Sequence, residues 1–292
     1  SQVLLDLGRL RQWDAARSEL SAQDAALRAA EQDLCARVAQ AYFGLLGAQA
    51  GLATTEANEA AFAQQVGQAQ SRFEAGLSAA VDVDQARTYY QLARGATVRS
   101  REALADAREA LAQITGRPPG VLKPLAEQLP ALPPQPSQAG AWVEQALQAN
   151  PALQAQRLTL QASEQRIGAA RAAHLPTLKV GVDSLNQRGA SVPALDAGRT
   201  HSQLVLRLNI PLFAGGATAS LTRQAAHQRD AAREQLELQR RALVRETQAQ
   251  YQAVLAGVEL LQSGRAAVEA STQALASTRA GQTLGTRSMT DL

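Results

Sequence analysis

Small and apolar residues near the start of the chain recur at intervals of three and four, which is the spacing of a coiled-coil seam. The seam comprises Leu34, Val38, Ala41, Leu45, Ala48 and Leu52, followed after polar Thr55 and Glu59 by Phe62, Val66, Ala69 and Phe73 in the same register. The pattern predicts one helix from about Gly8 to Glu74, roughly 100 Å long at 1.5 Å per residue. Ordinary globular domains rarely contain such a helix.

Further helices follow, separated by a proline-rich segment. The pattern predicts a second helix from about Asp82 to Ile114, which Thr115-Gly116 ends. The segment Pro118–Pro136 is rich in proline, so we expect an extended crossing between helical bodies. The predicted helices after it are one opened by Asn150-Pro151 and lasting to about Ala173, and a third very long one from about Thr218 to Thr283.

Two stretches alternate between apolar and polar residues, as half-buried strands do. Their apolar positions are Leu178, Val180 and Val182 in the first and Leu204, Leu206, Leu208 and Ile210 in the second. We expect a polar loop between them at Gln187–Gln203. The chain opens inside another apparent strand and stops inside a motif, so we also expect it to be part of a longer precursor.

The chain repeats itself at a distance of 209 residues. The matched pairs are Tyr42 and Tyr251, Leu46 and Leu255, Leu52 and Leu261, Gly76 and Gly285, and Asp82 and Asp291. Strand, long helix, glycine turn and returning helix therefore occur twice, which indicates a structural repeat. We predict a first repeat at 1–116, a proline-rich equatorial segment at 117–150 and a second repeat at 151–292.

Composition narrows the class of protein. Hydrophobic residues make up 46% of the chain but aromatic residues only 3%, which suits long helices packed along narrow seams. A net charge of +3 from dispersed residues argues against a nucleic-acid partner. Cys35 is the sole cysteine, so an internal disulfide is excluded, and its place in a helical pattern predicts a small buried side chain. The few aromatic residues, such as Trp13 and Trp142, are expected to be packing points.

Several segments together resemble the TolC family of outer-membrane channels over essentially the whole chain. They are Leu5 to Arg9, Ala41-Tyr42-Phe43, Arg72-Phe73 with Gly76-Leu77 and Asp82-Val83, Gln113 to Gly116, His174 to Leu178, Pro211 to Gly216, and Leu284 to Arg287 with Asp291-Leu292. Each motif alone is weak, and their order and spacing carry the resemblance. Gln113 to Gly116 and Gly285 to Arg287 lean toward the TolC branch over the outer components of multidrug or metal pumps.

The resemblance implies a mainly α fold with a small β part, in which long helices form an α-barrel and strands join a shared trimeric transmembrane β-barrel. It implies an exit duct of a tripartite efflux pump or type I secretion system, in the outer membrane and extending into the periplasm. The implied partners are two further copies of the chain, a periplasmic adaptor, an inner-membrane pump and outer-membrane lipid. It implies no cofactor.

The same resemblance points to the turns between paired helices, which face away from the membrane. Asp291 matches a ring of acids at the closed entrance, which would favour cations, and Asp82 with Arg287 would latch neighbouring coils. Gln282 stands where the best-known gate has a tyrosine, which predicts a weaker latch. The adaptor would dock at Gly76, Leu77, Ser78, Gly285 and Thr286, where Ser78 is a candidate cap of the returning helix. Asp82 has the alternative role of complementing a helix dipole.

Other function classes find less support. His174, His201 and His227 lack the spacing of metal ligands, and no Ser/His/Asp set or carboxylate pair marks an enzyme. The alternative that stays open is a coiled-coil scaffold or adaptor without a channel, whose long helices hold partners apart. The alternating strands and the repeat argue against it.

Overall fold

The computed structural model describes residues 2–125, 132–187 and 199–283. Its elements are strand β1 (Gln2–Leu5), helices α1 (Leu7–Glu74), α2 (Ala80–Thr115), α3 (Ala139–Ala149) and α4 (Pro151–Ala172), strands β2 (Thr177–Gln187) and β3 (Arg199–Asn209), and helix α5 (Ala217–Thr283). The fold is mainly α with a small β part, as predicted. No helix within these ranges has a stretch long and apolar enough to cross a membrane.

One helix was not predicted, and one predicted boundary was wrong. Helix α3 follows the predicted extended crossing Pro118–Pro136 and lies inside the equatorial segment 117–150, where Ala139–Ala149 is rich in good helix formers. Strand β3 begins at Arg199, so residues 199–203, expected in a loop, pair with β2 instead. Polar residues there lie on a ladder whose backbone hydrogen bonds do not depend on side-chain polarity.

Contacts divide the chain into two compact units, Ser1–Ala29 with Ala131–Leu292, and Ala30–Pro130. These units describe packing, whereas the predicted division at residues 116 and 150 follows the repeat and stays a prediction.

The unit Ala30–Pro130 is built on the predicted seam. Leu45 on α1 packs with Leu104 and Leu111 on α2, and their exposed fractions are 1%, 9% and 4%. Ala41, Ala48 and Leu52 pack against this cluster. Small residues between leucines let two helices approach closely, which is how a chain with few aromatic residues forms a core.

Two polar contacts join the same helices along this seam. The Thr97 hydroxyl is buried and donates to the Thr55 carbonyl oxygen over 3.3 Å. The Arg101 guanidinium lies 3.1 Å from the Glu56 carboxylate. The Thr97 hydroxyl also lies 3.3 Å from the Ala93 carbonyl oxygen of its own helix, so this buried group is satisfied within α2 and across the seam together.

The other unit has a narrower seam. Ala15, Ser18, Ala22 and Ala25 of α1 are buried at spacings of three, four and three, the positions of a coiled-coil stripe. Ser18 donates to Gln165 Oε1 over 2.9 Å, and Arg166 lies 3.0 Å from Glu19. The start of α1 therefore packs against α4.

The sheet has the order β1-β2-β3 and is antiparallel throughout. Val180 lies opposite Leu206 and Val182 opposite Leu204, so this half of one face of the hairpin is apolar. That face is exposed: Val182, Leu204 and Leu206 show 68%, 75% and 65% of their surface. Lys179, opposite Arg207, belongs to the polar face.

The repeat is visible in the geometry. The Tyr42 hydroxyl donates to the Lys123 carbonyl oxygen over 2.8 Å, and the Tyr251 hydroxyl donates to the Ser137 carbonyl oxygen over 2.6 Å. Moved along by 209 residues, α1 begins at residue 216, and α5 begins at Ala217. Each long helix thus bonds through the equivalent tyrosine to the backbone of the predicted equatorial region.

Two expectations about single side chains were wrong. Cys35 is exposed, because it lies outside the seam of α1 that α2 covers. Trp13 is 61% exposed, with the Arg17 guanidinium 5.7 Å from the ring centroid, because the buried stripe of this part of α1 is made of alanines and Ser18.

Candidate functional site

The turn after α1 is a Schellman motif. Gly76 has φ of +72°, its N–H donates to the Phe73 carbonyl oxygen over 2.9 Å, and the Leu77 N–H donates to the Arg72 carbonyl oxygen over 2.8 Å. These two bonds are the ones that define the motif, and the left-handed residue is glycine because a Cβ is strained there. Gly76 therefore ends α1 in the left-handed conformation, and its role in adaptor docking stays a prediction.

The start of α2 uses Asp82 and not Ser78. The Asp82 carboxylate accepts from the Ala79 N–H over 3.2 Å, which is one half of a capping box. Ala79, the N-cap residue, has no side-chain acceptor for the other half. The Ser78 hydroxyl oxygen is buried without a hydrogen-bond partner among the described residues, so the predicted Ser78 cap was wrong. The chain places Ser78 one residue too early to reach the first turn.

The tip of the hairpin presents apolar side chains to solvent. Leu77 is 71% exposed and Val81 is 70% exposed, whereas Val83, on the next face of α2, is 4% exposed. An apolar tip held on a fixed turn is a surface for packing against another helix. Val81 was not among the residues predicted for the tip. Its place directly before the acidic N3 residue of α2 could have indicated that it lies there.

Polar side chains brace the two helices just above the tip. Arg87 of α2 donates to Gln70 Oε1 over 3.4 Å, and Gln70 donates to the Glu74 carboxylate over 3.0 Å. Arg87 also lies 3.9 Å from Asp84. The contacts are exposed, so each of them contributes little to stability.

The second predicted turn lies outside the described residues, which include neither Gly285, Thr286, Arg287 nor Asp291. Gln282 falls within α5, and its side chain is outside the description as well. The structure therefore brings together Gly76, Leu77, Ser78 and Asp82, while the pairing of Asp82 with Arg287 stays a prediction. Among described residues, no group of three His, Cys, Asp or Glu side chains could hold a metal ion.

A known protein family, described as outer membrane efflux protein, matches residues 1–117 and 142–292. The chain belongs to this family. It is accordingly an outer-membrane protein that extends into the periplasm, and its family is one of transport proteins.

Relatives in the family include TolC proteins. The chain is 32% identical over 295 residues to the outer membrane protein TolC of Vibrio cholerae serotype O1, covering 100% of this chain and 67% of that protein. It is 28% identical to the outer membrane protein TolC of Escherichia coli K12, covering 100% and 61%. The alkaline protease secretion protein AprF of Pseudomonas aeruginosa is 27% identical over 77% of this chain and 47% of its own length. The chain thus spans about two thirds of the TolC proteins.

Solved structures show the same fold. A membrane protein from Pseudomonas aeruginosa superposes with a TM-score of 0.78 at 24% identity, covering 96% of this chain and 65% of that one. The outer-membrane channel OprN superposes with a TM-score of 0.79 at 22% identity, covering 97% and 63%. These similarities confirm the long-helix architecture that the seams predicted.

Proposed function

We propose that this protein is the exit duct of a tripartite efflux pump or type I secretion system. It takes substrates from an inner-membrane pump and a periplasmic adaptor and releases them outside the cell. It is a passive channel without catalytic residues or a cofactor. One observation carries the proposal. In this chain, which belongs to the family, a sheet with an exposed apolar face adjoins helices of 68 and 67 residues.

The sheet supports a place in outer-membrane lipid. Its apolar face carries Val182, Leu204 and Leu206 at high exposure, and the opposite face carries the polar Lys179 and Arg207. Strands that alternate in this way suit a barrel wall with lipid outside and water inside. The helices then lie on the periplasmic side.

Assembly as a homotrimer is supported by an uncovered stripe on α1. Trp13, Leu20 and Leu27 recur every seven residues and are 61%, 64% and 60% exposed. A heptad repeat of large apolar residues is a surface for helix packing. Neighbouring copies of the chain would cover it.

At the closed entrance, we place Asp291 in a threefold acidic ring that favours cations, and Asp82 with Arg287 in a latch between coils. Gln282 offers only an amide there. The exposed position of Asp82 at the hairpin tip supports this role, and its bond to the Ala79 N–H supports the helix-start role beside it. An exposed ion pair contributes about 0 to 1 kcal/mol, so three copies would form a gate that an adaptor can open.

The adaptor would dock on the two turns, at Gly76, Leu77, Ser78, Gly285 and Thr286. The exposure of Leu77 at 71% and the fixed backbone of Gly76 support a packing surface at the first of them. Coiled-coil contact with a helical hairpin is the type of interaction that such a tip allows.

Single-channel conductance in a planar bilayer tests the proposal, using the protein expressed from its intact gene. We expect a small cation-selective conductance that rises in Asp82→Ala and Arg287→Ala. Asp84→Ala is the matched control, because it removes a carboxylate two residues away that pairs with Arg87 of its own helix. Its conductance should equal that of the unaltered protein.

The outcomes separate the duct from the latch. Absence of conductance from well-folded trimers would overturn the duct and favour a scaffold. A conductance that Asp82→Ala and Arg287→Ala leave unchanged would overturn the latch alone.

A further inference from the structure

The first rungs of the β2–β3 hairpin place two cations side by side. Lys179 lies directly opposite Arg207 in the antiparallel register, and both residues are exposed. Residues in such a pair have Cβ atoms roughly 4.5 to 5.5 Å apart. Like charges at this separation repel each other, so the pair costs the sheet stability unless an anion lies between them.

Among the described strands, no carboxylate lies next to this pair on the same face. The third strand places Val3 on the other side of Lys179. The rungs before and after the pair are neutral. They are Thr177 with Asn209 and Gly181 with Val205. The first acid on this face is Asp183, about 13 Å further along β2 at 3.3 Å per residue. The sheet therefore leaves the charge of the pair for an external anion to neutralise.

The pair lies at the end of the hairpin nearest to the helices. Lys179 is the third residue of β2, which follows α4, and Arg207 is the third from the end of β3, which leads to α5. The next rung carries Val180 and Leu206 on the opposite face, which faces lipid in the proposed barrel. The proposed duct thus has the two cations on its water-filled side, where the barrel meets the helices.

We propose that Lys179 and Arg207 form an anion-binding ring inside the duct, for solutes with several negative charges such as oligophosphates. Three copies of the chain repeat the pair around the lumen, and rings of charged side chains set the ion preference of pores. The guanidinium offers a planar fork of N–H donors and the ammonium offers a compact charge, which together suit phosphate oxygens. The inference rests on the proposed duct function, which places this face in a lumen.

Inorganic tripolyphosphate is the probe, added to single channels of the protein expressed from its intact gene. We expect a saturable and reversible decrease of the current, because the bound anion occupies the lumen. The double variant Lys179→Gln with Arg207→Gln should bind tripolyphosphate roughly tenfold more weakly. The matched control exchanges the two residues, Lys179→Arg with Arg207→Lys, which keeps both charges and should keep the affinity within about threefold.

Titration calorimetry of the trimer in detergent measures the same binding without conductance. We expect tripolyphosphate to bind the unaltered protein and the exchanged variant, and added potassium chloride to weaken both affinities by screening. Size-exclusion chromatography and circular dichroism confirm that each variant assembles and folds. The glutamine variant should fold at least as well as the unaltered protein, because it removes a like-charge pair.

Equal affinity of the glutamine variant and the unaltered protein would overturn the proposal. Binding that calorimetry detects but that leaves the current unchanged would place the pair outside the lumen, beside lipid phosphates, and would overturn it as well. Absence of any current would count against the duct, whereas calorimetric binding that the glutamine variant loses would still support the anion site. The two proposals therefore fail separately.

Discussion

Leu45 of α1 and Val254 of α5 occupy equivalent positions in the repeat, 209 residues apart. Leu45 is 1% exposed, because α2 runs beside it and contributes Leu104 and Leu111. Val254 is 49% exposed, and further along the same stripe Val268 is 67% exposed and Leu275 is 38% exposed. Both helices therefore carry an apolar stripe of heptad spacing, and only one stripe is covered by a returning helix within the described residues.

The difference in exposure shows which structural features a heptad pattern determines and which it does not. The pattern specifies which face of a helix will pair, since only that face can bury apolar area. Whether the face is buried depends on a second helix that lies far away in sequence. The repeat predicts that a returning helix covers the stripe of Val254 to Leu275, as α2 covers the stripe of α1.

The largest expected effect is the difference in stability between two single variants, Leu45→Ala and Val254→Ala. Leu45→Ala should lower the free energy of unfolding by about 2 to 5 kcal/mol, because it leaves a cavity beside Leu104 and Leu111. Val254→Ala should lower it by less than about 0.5 kcal/mol, because the side chain is half-exposed. Urea unfolding of this chain, followed by circular dichroism, measures both. Equal losses would mean that α5 has a partner on this face already.

The turn that returns α2 to α1 gives the next effect. Gly76→Ala should lower the free energy of unfolding by about 1 to 2 kcal/mol, because φ of +72° strains any residue with a Cβ. Gly67→Ala is the matched control: Gly67 lies inside α1 with open space around its Cβ position, so alanine should raise stability by about 0.5 to 1 kcal/mol. The same sign for both variants in urea unfolding would contradict the role of the turn.

Substitution of the two equivalent tyrosines tests whether their hydrogen bonds to the equatorial region contribute equally to stability in the two repeats. Tyr42→Phe and Tyr251→Phe each remove one hydroxyl that donates to a backbone carbonyl, at 2.8 and 2.6 Å. Each should lower the free energy of unfolding by about 0.5 to 1 kcal/mol. Hydrogen exchange should rise in the segments around Lys123 and Ser137 respectively. A loss of stability in only one variant would show that the two repeats share the geometry of this hydrogen bond but not its contribution to stability.

The smallest effect concerns a surface ion pair on α5. A hydrogen bond from Arg241, 2.8 Å away, lowers the pKa of Glu237 below its ordinary value of 4.5. A lowered pKa in the folded state means that the contribution to stability is complete above pH 4.5 and is lost as pH falls through the folded value.

Glu237→Gln should therefore flatten the acid side of the stability profile slightly, as measured by urea unfolding between neutral pH and pH 3. Glu259→Gln, at a carboxylate for which the described part of the chain shows no ion pair, should leave the profile unchanged. Identical profiles for the two variants would show that the Arg241 pair is too solvated to matter.

Much of the fold was predictable because its signals are local. The prolines and glycines that bound helices act on their own backbone, so α1 and α5 begin within one residue of their expected starts and α2 ends at Thr115. Asn150 caps α4 as expected, accepting from the Leu153 N–H over 2.9 Å. The helix that was not predicted, Ala139–Ala149, is short and follows the proline-rich segment, where the two local signals compete.

The candidate site was only partly predictable. Gly76 is a backbone requirement and could be recognised from its place after a long helix. Whether Ser78 or Asp82 caps the start of α2 depends on the residue at which the helix begins. Asp82 is the residue whose carboxylate reaches the free Ala79 N–H. The exposure of Leu77 and Val81 depended on what packs around the tip, which a stretch of sequence does not contain.

By itself, the sequence determined every helix except α3, the strands, the repeat and the family, because periodicity and backbone punctuation are properties of neighbouring residues. The tertiary structure decided which stripes are covered, that Cys35 and Trp13 face solvent, and that Lys179 lies opposite Arg207 in the sheet. The physical reason is that burial depends on contacts between residues distant in the chain. A heptad stripe fits more than one partner, and only the folded chain shows which partner it has.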